Sequence, residues 1–270
     1  MSEHSAISWT HSSWNPVTGC TKVSPGCAHC YAERFAERWR GIPNHPYEQG
    51  FDLKLWPERL ELPLRWRAPR MVFVNSMSDL FHEDVPLSYV KRVFATMKTA
   101  DRHTFQILTK RSSRLVELAD ALEWSPNIWI GVTVESEEYV ERANDLRRVP
   151  AAVRFISAEP LLAPLGALDV HGIDWLIVGG ESGPRRRLMQ SDWAAELRDK
   201  CRDAGVAFYF KQWGGARPDS TPPMLDGEVW REMPTAIRGR NGGESSGGKY
   251  RDADSAQVLP LTAVLPLPLV

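Results

Sequence analysis

The chain has 270 residues, 43% hydrophobic and 25% charged, with a formal net charge of −1. This suits one sizeable domain with or without a tail and supplies ample apolar material for a core. Near-neutrality excludes a global pull toward nucleic acid or an anionic membrane, so any such binding must come from a local patch. No apolar run approaches the roughly 20 residues of a membrane-spanning helix. The opening MSEHSAISWT lacks the basic-then-apolar layout of a secretory signal. The expectation is a cytoplasmic protein with no membrane role, where clustered cysteines suggest metal binding or catalysis rather than disulfides.

In chain order, a first strand is expected between Ile7 and Val17. Three of the four cysteines follow in the segment WNPVTGCTKVSPGCAHCYAERFAERWR, spaced Cys20-x6-Cys27-x2-Cys30. Pro25-Gly26 forces a turn before Cys27. From Cys30 onward Tyr31, Phe35 and Trp39 recur at helical spacing and predict one apolar face. Cys27 is expected at the helix N-terminus and Cys30 in or near its first turn, where unpaired N–H groups favour thiolate. Residues 41–70, rich in Pro, Trp and Arg, form an insertion without clear periodicity, either a lid over the site or a structural strap.

Six apolar runs then recur: VFVNS from Val72, FQILTK from Phe105, IWIGVTVES from Ile128, VRFISAEP from Val153, WLIVGGESG from Trp175 and AFYFKQWGG from Ala207. Amphipathic helical stretches separate them, at 87–100, 113–122, 137–148 and 191–204. Near-continuous apolar strands alternating with helices predict an α/β fold with buried parallel strands. About seven strands fit a parallel-stranded (β/α) barrel, complete or partial, and a doubly wound open sheet is the rival. The barrel domain is expected over 1–235 and a flexible tail over 236–270, whose apolar end VLPLTAVLPLPLV can dock on a partner or on the domain.

Every strand ends in polar residues, the edge where parallel α/β folds place their sites. They are Asn75, Ser76, Ser78 and Asp79; Thr109 and Lys110; Thr133 and Glu135; Ser157 and Glu159; Glu181; Lys211 and Gln212. The alternative for each is a helix cap or loop tie. Lys110 and Arg111 can bind an anionic group or simply begin a solvated helix. Three thiolates leave one coordination place open. Iron–sulfur sites ordinarily use four cysteines, and structural zinc sites are closed by four ligands. The residues alone leave open an iron–sulfur cluster, zinc with His29 or His11 as fourth ligand, or no metal. Cys201, in a helical pattern, reads as a plain buried thiol.

Cys20-x6-Cys27-x2-Cys30, opening a βα barrel, resembles a variant of the radical S-adenosylmethionine (SAM) signature. The commoner version has three residues between the first two cysteines and an aromatic before the third; here the gap is six and His29 stands at the aromatic position. The stretches GCTKVSPGCAHCYAERFAER, FVNSMSDLFHEDVP, FQILTKR, SAEPLL, IVGGESG and FYFKQWGG resemble a phage-associated bacterial family of three-cysteine-motif proteins, over roughly residues 5–235. The wider radical SAM resemblance implies a TIM-like barrel and a [4Fe–4S] cluster on Cys20, Cys27 and Cys30. It implies that the fourth iron chelates SAM. It further implies that an electron from a donor such as flavodoxin or ferredoxin cleaves SAM to methionine and a 5′-deoxyadenosyl radical, which abstracts a substrate hydrogen.

By strand order, that resemblance puts Asn75, Ser76 and Ser78 at the methionine amino group, and Thr133 and Glu135 at ribose and carboxylate. Ser157 joins the cofactor site, Gly179, Gly180 and Glu181 pass the adenine, and Lys211 and Glu159 are the catalytic candidates. The substrate is expected to be a small molecule or a nucleoside-like one, with a dedicated protein partner as a further expectation. Two rival functions remain: a zinc-binding nucleic-acid module serving phage or restriction functions, and a non-catalytic cluster-bearing protein. For the first, Arg34, Arg38, Arg40, Arg65, Arg67 and Arg70 with Trp39 and Trp66 would form a basic aromatic surface.

Overall fold

The structure is a computed structural model that describes residues 5, 7–215 and 223–234. The expected tail, 236–270, lies outside the described residues. In chain order the elements are β1 (Ser12–Trp14), β2 (Val17–Thr18), α1 (Tyr31–Glu37), β3 (Lys54–Leu55), α2 (Leu62–Arg65), β4 (Met71–Val74), α3 (Leu87–Thr99), β5 (Thr104–Thr109), α4 (Ser112–Ala119), β6 (Ile128–Thr133), α5 (Glu141–Arg147), β7 (Val153–Ala158), β8 (Trp175–Gly179), α6 (Ser191–Ala204) and β9 (Ala207–Gln212).

Seven strands form one parallel sheet in the order β1-β4-β5-β6-β7-β8-β9. The order is sequential, so every crossover steps the same way and the switch point of a doubly wound sheet is absent. Right-handed crossovers then put the helices on one face. Val90 and Val93 of α3, Leu115 of α4, Leu146 of α5 and Leu197 of α6 pack there with Val72, Ile107, Ile130, Ile156, Leu176 and Phe208 of the sheet.

The opposite face is concave. Trp9 packs at 4.8 Å from Phe73 on β4 and at 6.1 Å from Trp175 on β8. Those two rings are therefore at most about 11 Å apart, whereas four strand spacings of a flat sheet amount to about 19 Å. The sheet curls around Trp9, and the Tyr209 hydroxyl donates to Ser8 O at 3.0 Å, tying the last strand to the segment that leads into the first. The fold is a partial barrel, with β1 and β9 as its edges.

The 41–70 segment is a strap with local structure. Its β3 pairs antiparallel with β2, Trp56 Nε1 donates to Thr18 Oγ1 at 2.8 Å, and Arg102 anchors the far end through Trp66 O and Leu64 O. The helix expected over 137–148 divides into a 3₁₀ turn, Glu137–Tyr139, and α5. Among the described residues no helix is long and apolar enough to cross a membrane.

Candidate functional site

A strand's side chains alternate between faces, so one inward residue fixes the rest. Phe73, Trp129, Phe155, Trp175 and Tyr209 belong to the inner cluster. Counting on by twos from these and from Leu108 on β5 brings Asn75, Lys110, Thr133, Ser157 and Lys211 to the inner face at the carboxyl ends, and Glu159 and Glu181 follow just past the ends of β7 and β8. The register agrees, with Thr133 paired to Ser157 across β6 and β7. These seven residues line a cavity of about 260 Å³, floored by Trp9, Phe73 and Leu108 and walled by Cys20, Cys27, Cys30, Tyr31, Ser76, Ser78, Asp79 and Arg111.

The cysteine loop is held by close backbone packing. Gly19 has φ +83, and a Cβ there would lie 2.2 Å from Asp52 O, so only glycine fits ahead of Cys20. Cys27 closes a 3₁₀ turn, Pro25–Cys27, and Cys30 is the cap residue of α1. This corrects the expected order: the Pro25-Gly26 turn ends at Cys27, so the helix begins one loop later. Arg111 Nη1 donates to Cys20 Sγ at 3.4 Å and to Asp79 Oδ2 at 3.3 Å. Asp79 also accepts from Thr109 Oγ1 and Lys110 N. Burial and the Asp79 charge push the Cys20 thiol up to about 11, against the pull of Arg111. Cys201 is buried in α6, its thiol pushed up to about 12 by burial.

The loop after β4 carries both hydrogen-bond donors and acceptors at the cavity wall. Asn75 adopts φ 62, a left-handed conformation that asparagine tolerates better than most residues. Its Oδ1 accepts from Val17 N, which fixes the amide orientation. Nδ2 is buried without a partner. Ser76 Oγ donates to Asn15 Oδ1 and Ser78 Oγ to Val17 O, so both hydroxyls have only lone pairs left for a ligand. Asn75 therefore offers a donor, not the acceptor expected of it, while the two serines offer acceptors.

Across the cavity, Lys211 Nζ lies 2.8 Å from Glu159 Oε1, and Ser157 Oγ donates to Glu159 Oε2 at 3.2 Å. Lys110 Nζ donates to Thr133 Oγ1 at 3.2 Å and forms no ion pair among the described residues. Glu181 accepts from Arg187 N and Nε and from the Arg187 Nη2 group, and lies 3.1 Å from His29 Nδ1. Burial raises the Glu181 carboxyl, but these hydrogen bonds outweigh it and hold the group at about 2.

Two expected site residues, Glu135 and Gly179, are not among the residues that line the cavity. Glu135 is fully buried behind the wall, paired with Arg142 Nη1 at 2.9 Å. The space over Gly179 is filled by Glu159, and a Cβ at Gly180 would lie 2.1 Å from Trp213 O. A side chain at either glycine would collide with neighbouring protein atoms, and Gly180 lines the cavity. His11 accepts from Met71 N at the start of β4, the sheet edge opposite the cysteines, so it is no fourth ligand to them. Arg65, Arg67 and Arg70 precede β4 and sit at that lower edge, away from Arg34 and Arg38 on α1; Arg40 is paired with Glu37 and Asp52. The single basic aromatic surface expected from them does not form. Tyr31 also lines the cavity, although its spacing points only to an apolar helix face, and Lys110, expected at the strand end, falls on the inward phase of FQILTK.

Among the described residues, no three His, Cys, Asp or Glu side chains are gathered to hold a single metal ion. A zinc centre brings every ligand within about 2.0–2.3 Å of one ion. A four-iron cluster spreads its thiolates over separate irons, so its cysteines need to face a common volume rather than one point. Cys20, Cys27 and Cys30 all line the one cavity.

Over residues 4–234 the chain matches the family described as protein of unknown function (DUF5131). The chain belongs to that family. Curated proteins give no match. Among solved structures, the chain is similar to spore photoproduct lyase complexed with dinucleoside spore photoproduct, at 13% identity over 75% of each chain and a TM-score of 0.47. Within this family member, the sites of chemical interest are thus the cysteine wall, the Asn75 loop and the Lys211–Glu159 pair.

Proposed function

We propose that the chain is a radical SAM-type enzyme, with a [4Fe–4S] cluster on Cys20, Cys27 and Cys30 and SAM beside it, acting on a small nucleoside-like substrate. The observation that carries the reading is the meeting of all three motif cysteines with the polar strand ends in one cavity. When bound, cluster and SAM would supply reductive cleavage of SAM and hydrogen abstraction, with the electron drawn from a donor such as flavodoxin or ferredoxin.

The chain's own residues fit those two groups. A SAM amino acid end carries an ammonium and a carboxylate. Ser76 and Ser78 present lone pairs to the first, and Asn75 Nδ2 and the Lys110 ammonium present donors to the second. Arg111 donates to Cys20 Sγ, a charge-assisted contact that favours thiolate. Glu159, held between Lys211 and Ser157, is placed to accept from a substrate hydroxyl or amine. The Trp9, Phe73 and Leu108 floor keeps bulk water from below.

Anaerobic reconstitution with iron and sulfide tests the cofactor. The expected product is brown and carries about four irons per chain. Cys30→Ala loses the colour and the iron, and Cys201→Ala keeps both. Colour that survives in the Cys30 variant, or a colourless chain loaded with zinc, defeats the reading.

A further inference from the structure

We propose that α1 and the loop after β8 form a docking surface for single-stranded nucleic acid at the cavity mouth, which deepens the proposed function by making the substrate a nucleotide within a strand. The spacing of Tyr31, Phe35 and Trp39 predicts a face that packs on the protein. The structure turns the other face inward: α1 buries Ala32 and Ala36. The aromatic row is left to solvent, with Tyr31 52%, Phe35 44% and Trp39 37% exposed. Phe35 meets Tyr47 edge-on at 5.5 Å, and Trp39 stacks on His45 at 4.1 Å. Phe35 is thus braced at an edge and Trp39 across one face, and both rings remain partly exposed.

Charge decides the kind of partner. At 100° per residue, Arg34 and Arg38 form the ridge next to Tyr31 and Phe35, with Glu33 and Glu37 beyond it. The acids are already neutralised, Glu33 by Lys22 and Glu37 by Arg40. Arg34 and Arg38 make no side-chain hydrogen bond or ion pair among the described residues, and neither do Arg185 and Arg186. The two pairs share one surface: a Cβ at Gly183 would lie 2.8 Å from Arg34 Nη1. Arg187 Nη2 donates to Pro25 O, tying the same loop to the cysteine turn.

Four unpaired guanidinium groups beside exposed rings match a partner that carries regularly spaced anions and flat faces, which is the recognition chemistry of single-stranded nucleic acid. An acidic protein answers the arginines but has no matching use for a row of stacking faces. The row also leads inward. Tyr31 lines the cavity and its hydroxyl donates to Ser76 O at 2.6 Å. A strand stacked on Phe35 and Trp39 would present its next base at the mouth.

Fluorescence anisotropy of a short labelled single-stranded oligonucleotide with the full chain tests this. Binding is expected at low salt, weakening from about 50 to 200 mM. Phe35→Ala and Trp39→Ala each weaken it by roughly tenfold or more. Arg34→Ala and Arg38→Ala each flatten the salt dependence by about 0.7 in the log–log slope. Arg65→Ala and Arg67→Ala, at the opposite end, leave it unchanged. No binding, or binding indifferent to the Phe35 and Trp39 changes, overturns the proposal. So does equal competition by polyglutamate, which would point to an acidic protein instead. The assay needs neither cluster nor SAM, so a chain that binds oligonucleotide but never cleaves SAM keeps this surface and loses the proposed reaction, and the reverse result does the opposite.

Discussion

The inner face of the barrel has two layers that come from the same strands and differ in every property that matters. The lower layer is aromatic: Trp9, Phe73, Trp129, Phe155, Trp175 and Tyr209 pack ring against ring. The upper layer, one to three inward positions further on, is Asn75, Lys110, Thr133, Ser157, Glu159, Glu181 and Lys211. The lower layer excludes water and fixes the curvature. The upper layer carries donors and charges that the protein leaves partly unsatisfied, with Asn75 Nδ2 buried and unpartnered. Buried polar groups are normally paired because leaving them unmade costs roughly 1–3 kcal/mol. The upper layer therefore gives up stability at that unmet donor, as a ligand site would, and the lower layer supplies the rigidity that makes this tolerable.

The comparison is broken most severely from below. Trp175 is fully buried and touches Trp9, Trp129, Phe155 and Tyr209. Trp175→Ala is expected to cost about 3–5 kcal/mol, read as a lowered urea midpoint. A change under about 1 kcal/mol would mean that the lower layer is not what holds the barrel. Next comes the pair behind the wall. Arg142→Met strands the Glu135 carboxylate, and breaking a buried pair costs roughly 3 kcal/mol or more. Thermal unfolding checks it, and a variant as stable as the parent would show that Glu135 takes up a proton or finds water. The smallest expected effect is in the upper layer. Lys211→Met removes a partly exposed pair and should alter stability by no more than about 1 kcal/mol, while abolishing turnover in any assay that detects it. A large loss of stability would make the Lys211–Glu159 pair a strut rather than a site.

Much of this was legible in the residues. The strand runs from Val72 to Ala207 match β4 to β9 closely because buried parallel strands leave an unmistakable apolar run, and Ser191–Ala204 coincides with α6, ended by Gly205 in the left-handed conformation. The period-2 phase within those runs already sorts Thr133, Ser157 and Glu159 inward. What misleads is context beyond a single element. The aromatic row of α1 reads as a packing face because a helix pattern states which residues share a side, not which side the protein covers. Glu135 looks like a ligand because it follows Thr133 by two, but the chain has left the strand there and Arg142 captures it. Gly179 looks open because glycine lacks a side chain, yet Glu159 occupies the room.

The most direct measurement adds SAM and dithionite to the anaerobically reconstituted protein and follows the products by chromatography. The account expects 5′-deoxyadenosine and methionine to accumulate together, and neither to form in the Cys27→Ala protein. A chain that holds its full iron and takes up the electron, yet leaves SAM intact, would contradict it.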